Sequence, residues 1–383
     1  MRAFATTHPG LEGILRRELE QLGARAIEGE AGGVGFDADL PLLYRANLAL
    51  ATASRVIVRV ATFKARTFGE LERHAKKVGW EEYVAPGAIA HFRVTSKKSK
   101  LYHEDGIAER LTTALQGRVS GVDVLASRAE ADDRERDVTV VPTIQRFVVR
   151  FHRDGCTLSA DSSGSLLHRR GYRVDSGKAP IRETLAAGLV LASGWTADAP
   201  LIDPFCGSGT IPIEAAMIAR RMPPGWRRQF SFERWPAFDR RRYDEVRAEL
   251  SARILPSAGA PILGADRDAG AIRGARENAK RSGTVVDIEW RCQALSALTA
   301  PPGLGWVITN PPYGARLTGG GDLRNLYAQF GHLLRRQCPG WRATIVGADR
   351  VLEGQAGLDW TEALTTENGG LPIRFLTTAV PAS

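Results

Sequence analysis

The stretch Leu201-Ile202-Asp203-Pro204-Phe205-Cys206-Gly207-Ser208-Gly209-Thr210 constrains the fold more than any other part of the 383 residues. Pro200 to Phe205 reads as an apolar strand closed by an acid, two glycines follow, and Ile211 to Met222 reads as a helix. A strand that runs through a tight glycine turn into a helix belongs to an α/β unit, whose next strand lies parallel to the first. The alternation continues downstream. Ile262 to Ala265 reads as a strand, Ala269 to Arg281 as a helix, and Val285 to Trp290 and Trp306 to Thr309 as strands. Leu323 to Arg336 is a further helix, with strands at Arg342 to Val346 and Phe375 to Val380. The C-terminal half is therefore expected to be a doubly wound, mostly parallel sheet covered on both faces.

In open α/β sheets, ligands sit beyond the carboxyl ends of the strands, where this glycine loop must lie. Glycine lets backbone come close to a ligand, and a helix N-terminus offers free N–H groups with a positive dipole end. An anionic carboxylate, such as the amino-acid part of S-adenosylmethionine, suits that place. No third glycine completes a dinucleotide fingerprint, and no Gly-Lys-Ser/Thr marks a nucleotide-triphosphate loop. Asp266 ends the next strand in Leu263-Gly264-Ala265-Asp266-Arg267-Asp268 and, as a double acceptor, suits ribose hydroxyls. Asp268 reads as the cap of the helix after it.

A second loop, Asn310-Pro311-Pro312-Tyr313-Gly314, follows another buried strand. Two prolines lack N–H groups and fix φ, so the loop is stiff and its carbonyls face outward. The Asn310 side-chain oxygen and the Pro311 carbonyl can together accept both hydrogens of an exocyclic amine. Tyr313 offers a ring face to a base, which must leave its helical stack to arrive there.

The N-terminal half reads as α+β. Leu11 to Leu22 has helical apolar spacing ended by Gly23, and Leu40 to Leu50, Phe68 to Val78 and Asp105 to Leu115 are further helices. Ser54 to Phe63, Ile89 to Val94 and Arg146 to Leu158 read as strands, and the charged Ser127 to Asp137 as a solvated hairpin or loop. A hydrophobic fraction of 43% and a charged fraction of 25% are those of a globular chain. No apolar run reaches the about 18 residues of a membrane span, and the first residues lack a signal-peptide core, so a cytoplasmic location is expected. Cys156, Cys206, Cys292 and Cys338 stand far apart without a C-x-x-C pair, which predicts neither metal nor disulfides. The net charge of +9 points to an anionic partner, nucleic acid first.

Asp203 to Thr210 and Asn310 to Gly314 resemble motifs I and IV of class I S-adenosylmethionine-dependent amino methyltransferases. Ile211-Pro-Ile-Glu-Ala-Ala216, Lys178-Ala-Pro-Ile-Arg-Glu-Thr-Leu-Ala-Ala187, Phe92 to His103, Asp161 to Arg173 and Pro223 to Pro236 are similar to the THUMP-containing RNA methyltransferases, most of all the RlmL-type 23S rRNA guanine-N2 enzymes. The resemblance implies a ferredoxin-like α+β piece (1–60), a THUMP RNA-binding domain (61–162), a linker (163–177) and a Rossmann-like methyltransferase domain (178–383). It implies that Asp203, Pro204, Phe205, Cys206, Gly207, Ser208, Gly209 and Thr210 hold the methionine part of S-adenosylmethionine, with Asp266 and Arg267 at the ribose. Asn310, Pro311, Pro312 and Tyr313 would hold a flipped guanine amine. Lys97, Lys98 and Lys100, read as a basic loop, and Arg169, Arg170 and Arg173, lining the linker, would contact RNA phosphates. Many such enzymes carry an acid after the third strand for the adenine; here the region is Cys292-Gln293-Ala294-Leu295, which leaves Gln293 or backbone groups for that contact. The expected product is N2-methylguanosine in 23S rRNA. The alternatives are the same modification in tRNA and a non-catalytic RNA-binding ribosome-assembly factor.

Overall fold

A computed structural model describes residues 1–126, 137–173, 181–313 and 323–382. Most of the charged Ser127 to Asp137 segment, Lys178 and Gly314 lie outside the described residues. The helices are α1 (Glu12–Gln21), α2 (Leu40–Ala49), α3 (Phe68–Ala75), α4 (Glu104–Gln116), α5 (Glu183–Ser193), α6 (Thr210–Ala219), α7 (Arg240–Ala252), α8 (Ala269–Ser282), α9 (Leu323–Gln337) and α10 (Arg350–Gln355). The chain divides into two compact units: Met1–Thr7, Arg16–Gly171 and Gly225–Glu249 form one, and His8–Leu15, Tyr172–Pro224 and Leu250–Ser383 the other.

The first unit is built on one sheet. Its strands are β1 (Arg2–Thr7), β2 (Arg25–Glu30), β3 (Gly33–Asp37), β4 (Ala53–Lys64), β5 (Ile89–Lys97), β6 (Asp123–Leu125), β7 (Ile144–His152) and β8 (Gly155–Asp161), in the order β2-β3-β1-β4-β8-β7-β5-β6. Among the described residues, only β5 pairs in parallel, with β6 and β7. The continuous strand expected over Arg146 to Leu158 is instead a hairpin, because Arg153 and Asp154 take φ of 50° and 63°. Positive φ at both central residues is the two-residue turn that matches strand twist, here made by Arg153-Asp154 without a glycine at either position. Inside the sheet Arg55 pairs with Asp161, both buried.

The segment Gly225–Glu249 belongs to this first unit, whereas the sequence reading gives every residue from 178 onward to one domain. The reason is an aromatic cluster. Tyr44 on α2 lies 4.7, 5.8 and 5.4 Å from the rings of Phe232, Phe238 and Tyr243. Trp235 Nε1 donates to Gln145 Oε1 at 2.7 Å, and the buried Arg228 donates to the carbonyls of Ser165, Leu166 and Arg169. Aromatic side chains bury the largest apolar areas per residue, so three of them around one tyrosine outweigh the chain's order.

The second unit carries β9 (Leu201–Asp203), β10 (Ile262–Asp266), β11 (Ile288–Cys292), β12 (Trp306–Thr309), β13 (Arg342–Gly347), β14 (Thr361–Asn368) and β15 (Leu371–Ala379), ordered β11-β10-β9-β12-β13-β15-β14. Strands β9 to β13 pair in parallel, and β15 runs antiparallel between β13 and β14. Alternate residues feed two cores. Leu201 and Ile308 join one with Leu185 and Leu189 of α5, Ile213 of α6 and Ile272 of α8; Ile202 and Val307 join the other with Phe330 and Leu334 of α9. The doubly wound class read from the sequence is the class observed. Strand β11 starts three residues later than expected, because Asp287 closes a turn onto Thr284 and pairs with Arg220. Among the described residues no helix is long and apolar enough to cross a membrane.

Phe232 is 1% exposed at the centre of the aromatic cluster. We expect Phe232→Ala to cost about 3–5 kcal/mol, read as a lower denaturation midpoint. A loss below about 1 kcal/mol would show that Gly225–Glu249 docks loosely.

Candidate functional site

The strand order reverses at β9, which has β10 on one side and β12 on the other. Adjacent connections there leave in opposite directions, so a crevice opens beyond the carboxyl ends of these strands. Asp203 ends β9 and is 1% exposed. Its Oδ1 accepts from Thr309 Oγ1 at 2.5 Å and from the Phe205 N–H at 3.1 Å. Burial raises its pKa to about 7, against the lowering effect of these two hydrogen bonds and with a further push from the Asp266 charge. Asp203 is thus a tie between the two loops that the sequence singles out.

The glycine loop is stitched to the sheet. Cys206 N donates to Ala265 O at 3.0 Å, Gly207 N to Asp266 Oδ2 at 3.0 Å, and Gly209 N to Cys206 O at 2.8 Å. Asn278 of α8 donates to Ser208 O at 3.0 Å. Gly209 takes φ of 81°, and a Cβ there would stand 2.6 Å from the Trp290 ring. Gly207 takes φ of 51°, and a Cβ there would meet nothing within 4 Å. Trp290 is therefore the floor of the loop, and Gly207 is its open side. Pro204, Cys206 and Thr210 are buried, with burial pushing the Cys206 thiol well up, while the Phe205 ring packs 5.7 Å from Phe330. Gly207 and Ser208 are the half-exposed backbone left to face a ligand.

Asp266 also accepts from Asp268 N at 2.9 Å, and Asp268 caps α8 as expected. Arg267 is exposed. Gln293 N donates to Asp266 O at 3.0 Å, while Gln293 Nε2 is a buried donor with no partner. At the end of β12, Asn310 Oδ1 is likewise buried and unpartnered. Pro311 is buried and Pro312 half-buried. Tyr313 is 4% exposed and belongs to a core cluster, so its ring presents no open face here, contrary to the sequence reading.

The predicted basic contacts divide. Lys97 ends β5 and is not in a loop; Lys98 and Lys100 follow in the turn, and all three are exposed in the first unit. Arg170 is 3% exposed and donates to Leu167 O and Ala51 O, and Arg173 pairs with Glu183 and donates to Thr210 Oγ1. Arg170 is spent inside the protein, and Arg173 is half-buried against its partners with Nη1 left without one; neither lines an open surface, and Arg169 is half-buried. The sequence reading missed Thr309, Asn278 and Trp290. Nothing local marks them, although Thr309 directly precedes the motif. Among the described residues no group of His, Cys, Asp and Glu could hold a metal ion.

Residues 170–375 match the family described as "RMKL-like, methyltransferase domain", and residues 2–57 match the "RlmL ferredoxin-like domain". The chain belongs to the RMKL-like methyltransferase family. Within it, a Synechocystis sp. (strain ATCC 27184 / PCC 6803 / Kazusa) protein named "Putative RNA methyltransferase slr0064" is 35% identical over 97% of this chain and 95% of its own. The "Ribosomal RNA large subunit methyltransferase K/L" of Shewanella baltica (strain OS185) is 33% identical over 97% of this chain but 52% of its own, so the chain spans about half of that enzyme. The solved structure of "SMU.472, a putative methyltransferase complexed with SAH" superposes with a TM-score of 0.85 at 30% identity, over 100% of this chain and 98% of that one.

The RMKL-like chain is thus a class I methyltransferase whose cofactor is S-adenosylmethionine. Its residues fit that group: Gly207 leaves open space beside half-exposed backbone, and Gln293 Nε2 is a buried donor awaiting an acceptor.

Two results follow from this geometry. Gly207→Ala should fold with a loss of about 1 kcal/mol, from left-handed backbone alone, yet weaken calorimetric S-adenosylmethionine binding at least tenfold. Gly209→Ala, which meets Trp290, should lower the melting temperature markedly more; equal melting of the two variants would remove Trp290 as the floor. For Asp203, the folded pKa of about 7 lies above the ordinary 3.8. Its contribution to stability is therefore complete below the lower value and lost as pH rises through the upper. The melting temperature of Asp203→Asn relative to wild type should climb between about pH 4 and pH 8; a flat difference would contradict the raised value.

Proposed function

We propose that this methyltransferase modifies RNA, transferring a methyl group to the exocyclic N2 amine of a flipped guanine, with large-subunit rRNA as substrate. The observation that carries the reading is Asn310 Oδ1, a buried acceptor without a partner at the carboxyl end of β12. A buried acceptor left unsatisfied costs about 1–3 kcal/mol, which an amine hydrogen would recover. The Pro311 carbonyl is assigned the second hydrogen, so that the nitrogen lone pair points at the glycine loop.

S-adenosylmethionine supplies a methyl group on a sulfonium, already a good leaving group. The protein's task is then positioning rather than strong base chemistry. In this reading Gly207 and Ser208 hold the methionine part, Asp266 and Arg267 the ribose, and Gln293 the adenine. Asp203 and Thr309 keep the two loops in register. The relatives named for RNA and for the ribosomal large subunit support the choice of substrate, as does the net charge of +9. Guanine N2 of tRNA would use the same acceptors.

The test is tritium transfer from labelled S-adenosylmethionine into unmodified rRNA, tRNA and duplex DNA, with digestion to nucleosides. Label in N2-methylguanosine from rRNA is expected. The same nucleoside from tRNA would reassign the substrate, and N6-methyladenine would overturn the base. Asn310→Ala should lower kcat on the order of 100-fold or more with cofactor affinity nearly unchanged; retained turnover would remove Asn310 from the chemistry.

A further inference from the structure

The starts of α5 and α6 share one arginine. Arg173 Nε pairs with Glu183 Oε1 at 2.9 Å, in the first turn of α5. Its Nη2 donates to Ile181 O at 3.1 Å and to Thr210 Oγ1 at 2.9 Å, on the first residue of α6. Glu183 and Thr210 are buried, and Leu185, Leu189 and Ile213 place both helices in one core. The guanidinium therefore ties the start of α5 to the end of the glycine loop through Nε and Nη2 alone.

Two groups beside this tie are left over. Arg173 Nη1 is buried without a partner, and so is Oγ1 of Thr184, the residue after Glu183, which is 0% exposed. A buried donor without an acceptor is destabilising, and more so when it carries charge. Neither helix receives a side-chain cap, with Arg182 and Gly209 at the two N-cap positions. Each helix start adds about half a positive charge. Glu183 is already engaged at Nε, and Glu214, the buried acid of α6, accepts from Tyr172 Oη at 3.1 Å. What the place lacks is a small anionic acceptor. A polymer phosphate would have to bring its chain to a fully buried hydroxyl, whereas a carboxylate on a short arm brings two oxygens and little else.

We propose that Arg173 Nη1 and Thr184 Oγ1 hold the α-carboxylate of the cofactor's methionine part, so that tight binding requires the amino-acid end as well as the adenosine. The inference rests on the placing of that part at the glycine loop, and it adds α5 and Arg173 to a subsite otherwise built from Asp203 to Thr210. A guanidinium edge bonds a carboxylate with charge assistance, roughly twice as strongly as a neutral pair. Thr210 Oγ1, which accepts from Nη2, keeps that edge beside the loop. Arg173 thereby has a use other than the RNA phosphates that its place in a basic run suggests.

The experiment compares calorimetric binding of S-adenosylhomocysteine, which carries the carboxylate, with that of 5′-methylthioadenosine, which lacks the amino-acid part. Thr184→Val removes a hydroxyl that has no partner in the protein, so it should melt at or above wild type. It should bind S-adenosylhomocysteine about tenfold more weakly and 5′-methylthioadenosine as wild type does. Thr366→Val removes another unpartnered buried hydroxyl, on β14, and should leave both affinities unchanged. Arg173→Gln also loses the Glu183 pair and should melt lower. Its readout is the ratio of the two affinities within the variant, which should fall about tenfold or more. Equal loss of both ligands in Thr184→Val, or loss of neither, would overturn the assignment. Melting of Thr184→Val well below wild type would overturn it too, by showing that the hydroxyl serves the fold. A wild type that binds both ligands equally would remove the demand for a carboxylate, and one that binds neither would overturn the cofactor reading itself.

Discussion

The second unit depends on one buried carboxylate at the point where its sheet reverses direction. Asp203 accepts from the Phe205 backbone within its own loop and from Thr309 across the neighbouring strand. Two loops that meet only in space are thereby held at a set separation, with Asn310 immediately after Thr309. Burial holds the acid near neutrality, so the tie costs less than a fully ionised, dehydrated carboxylate would. Loop geometry is usually the softest part of an α/β site. Here the glycine loop is also bonded to Ala265 and Asp266, and floored by Trp290.

Unsatisfied buried groups point the same way. Asn310 Oδ1 and Gln293 Nε2 are a buried acceptor and a buried donor without partners, each just after a strand of the sheet. Each costs about 1–3 kcal/mol until water or a bound molecule supplies the missing bond. An amine for the first and an adenine acceptor for the second are complementary demands, placed just after β12 and β11 of one sheet.

The first unit spends its arginines differently from the way a basic run suggests. His168-Arg169-Arg170-Gly171-Tyr172-Arg173 looks like a phosphate grip, yet Arg170 stitches Ala51 to Leu167 in the first unit, and Arg173, already in the second, is locked on Glu183. Five guanidinium donors in a planar fork serve carbonyl groups as well as phosphates, and sequence does not say which they meet. The lysines after β5 stay in water because the turn that carries them is bonded to Asp154 through backbone and hydroxyl groups alone.

Local pattern alone determined β9 to β13 with helices α6, α8 and α9, the Asp268 cap and the two loops, because each is written in consecutive residues with a fixed period or punctuation, whereas α10 and β14 were not legible. It did not show the hairpin at Arg153-Asp154, because neither central residue is a glycine. What only the tertiary structure decided involves residues far apart in the chain. Thr309 meets Asp203 across 106 positions, Tyr44 gathers Phe232 and Tyr243, and Tyr313 is buried rather than open. Hydrogen bonds and apolar burial between distant segments have no periodic trace, since their energy depends on the packed geometry and not on the order of residues.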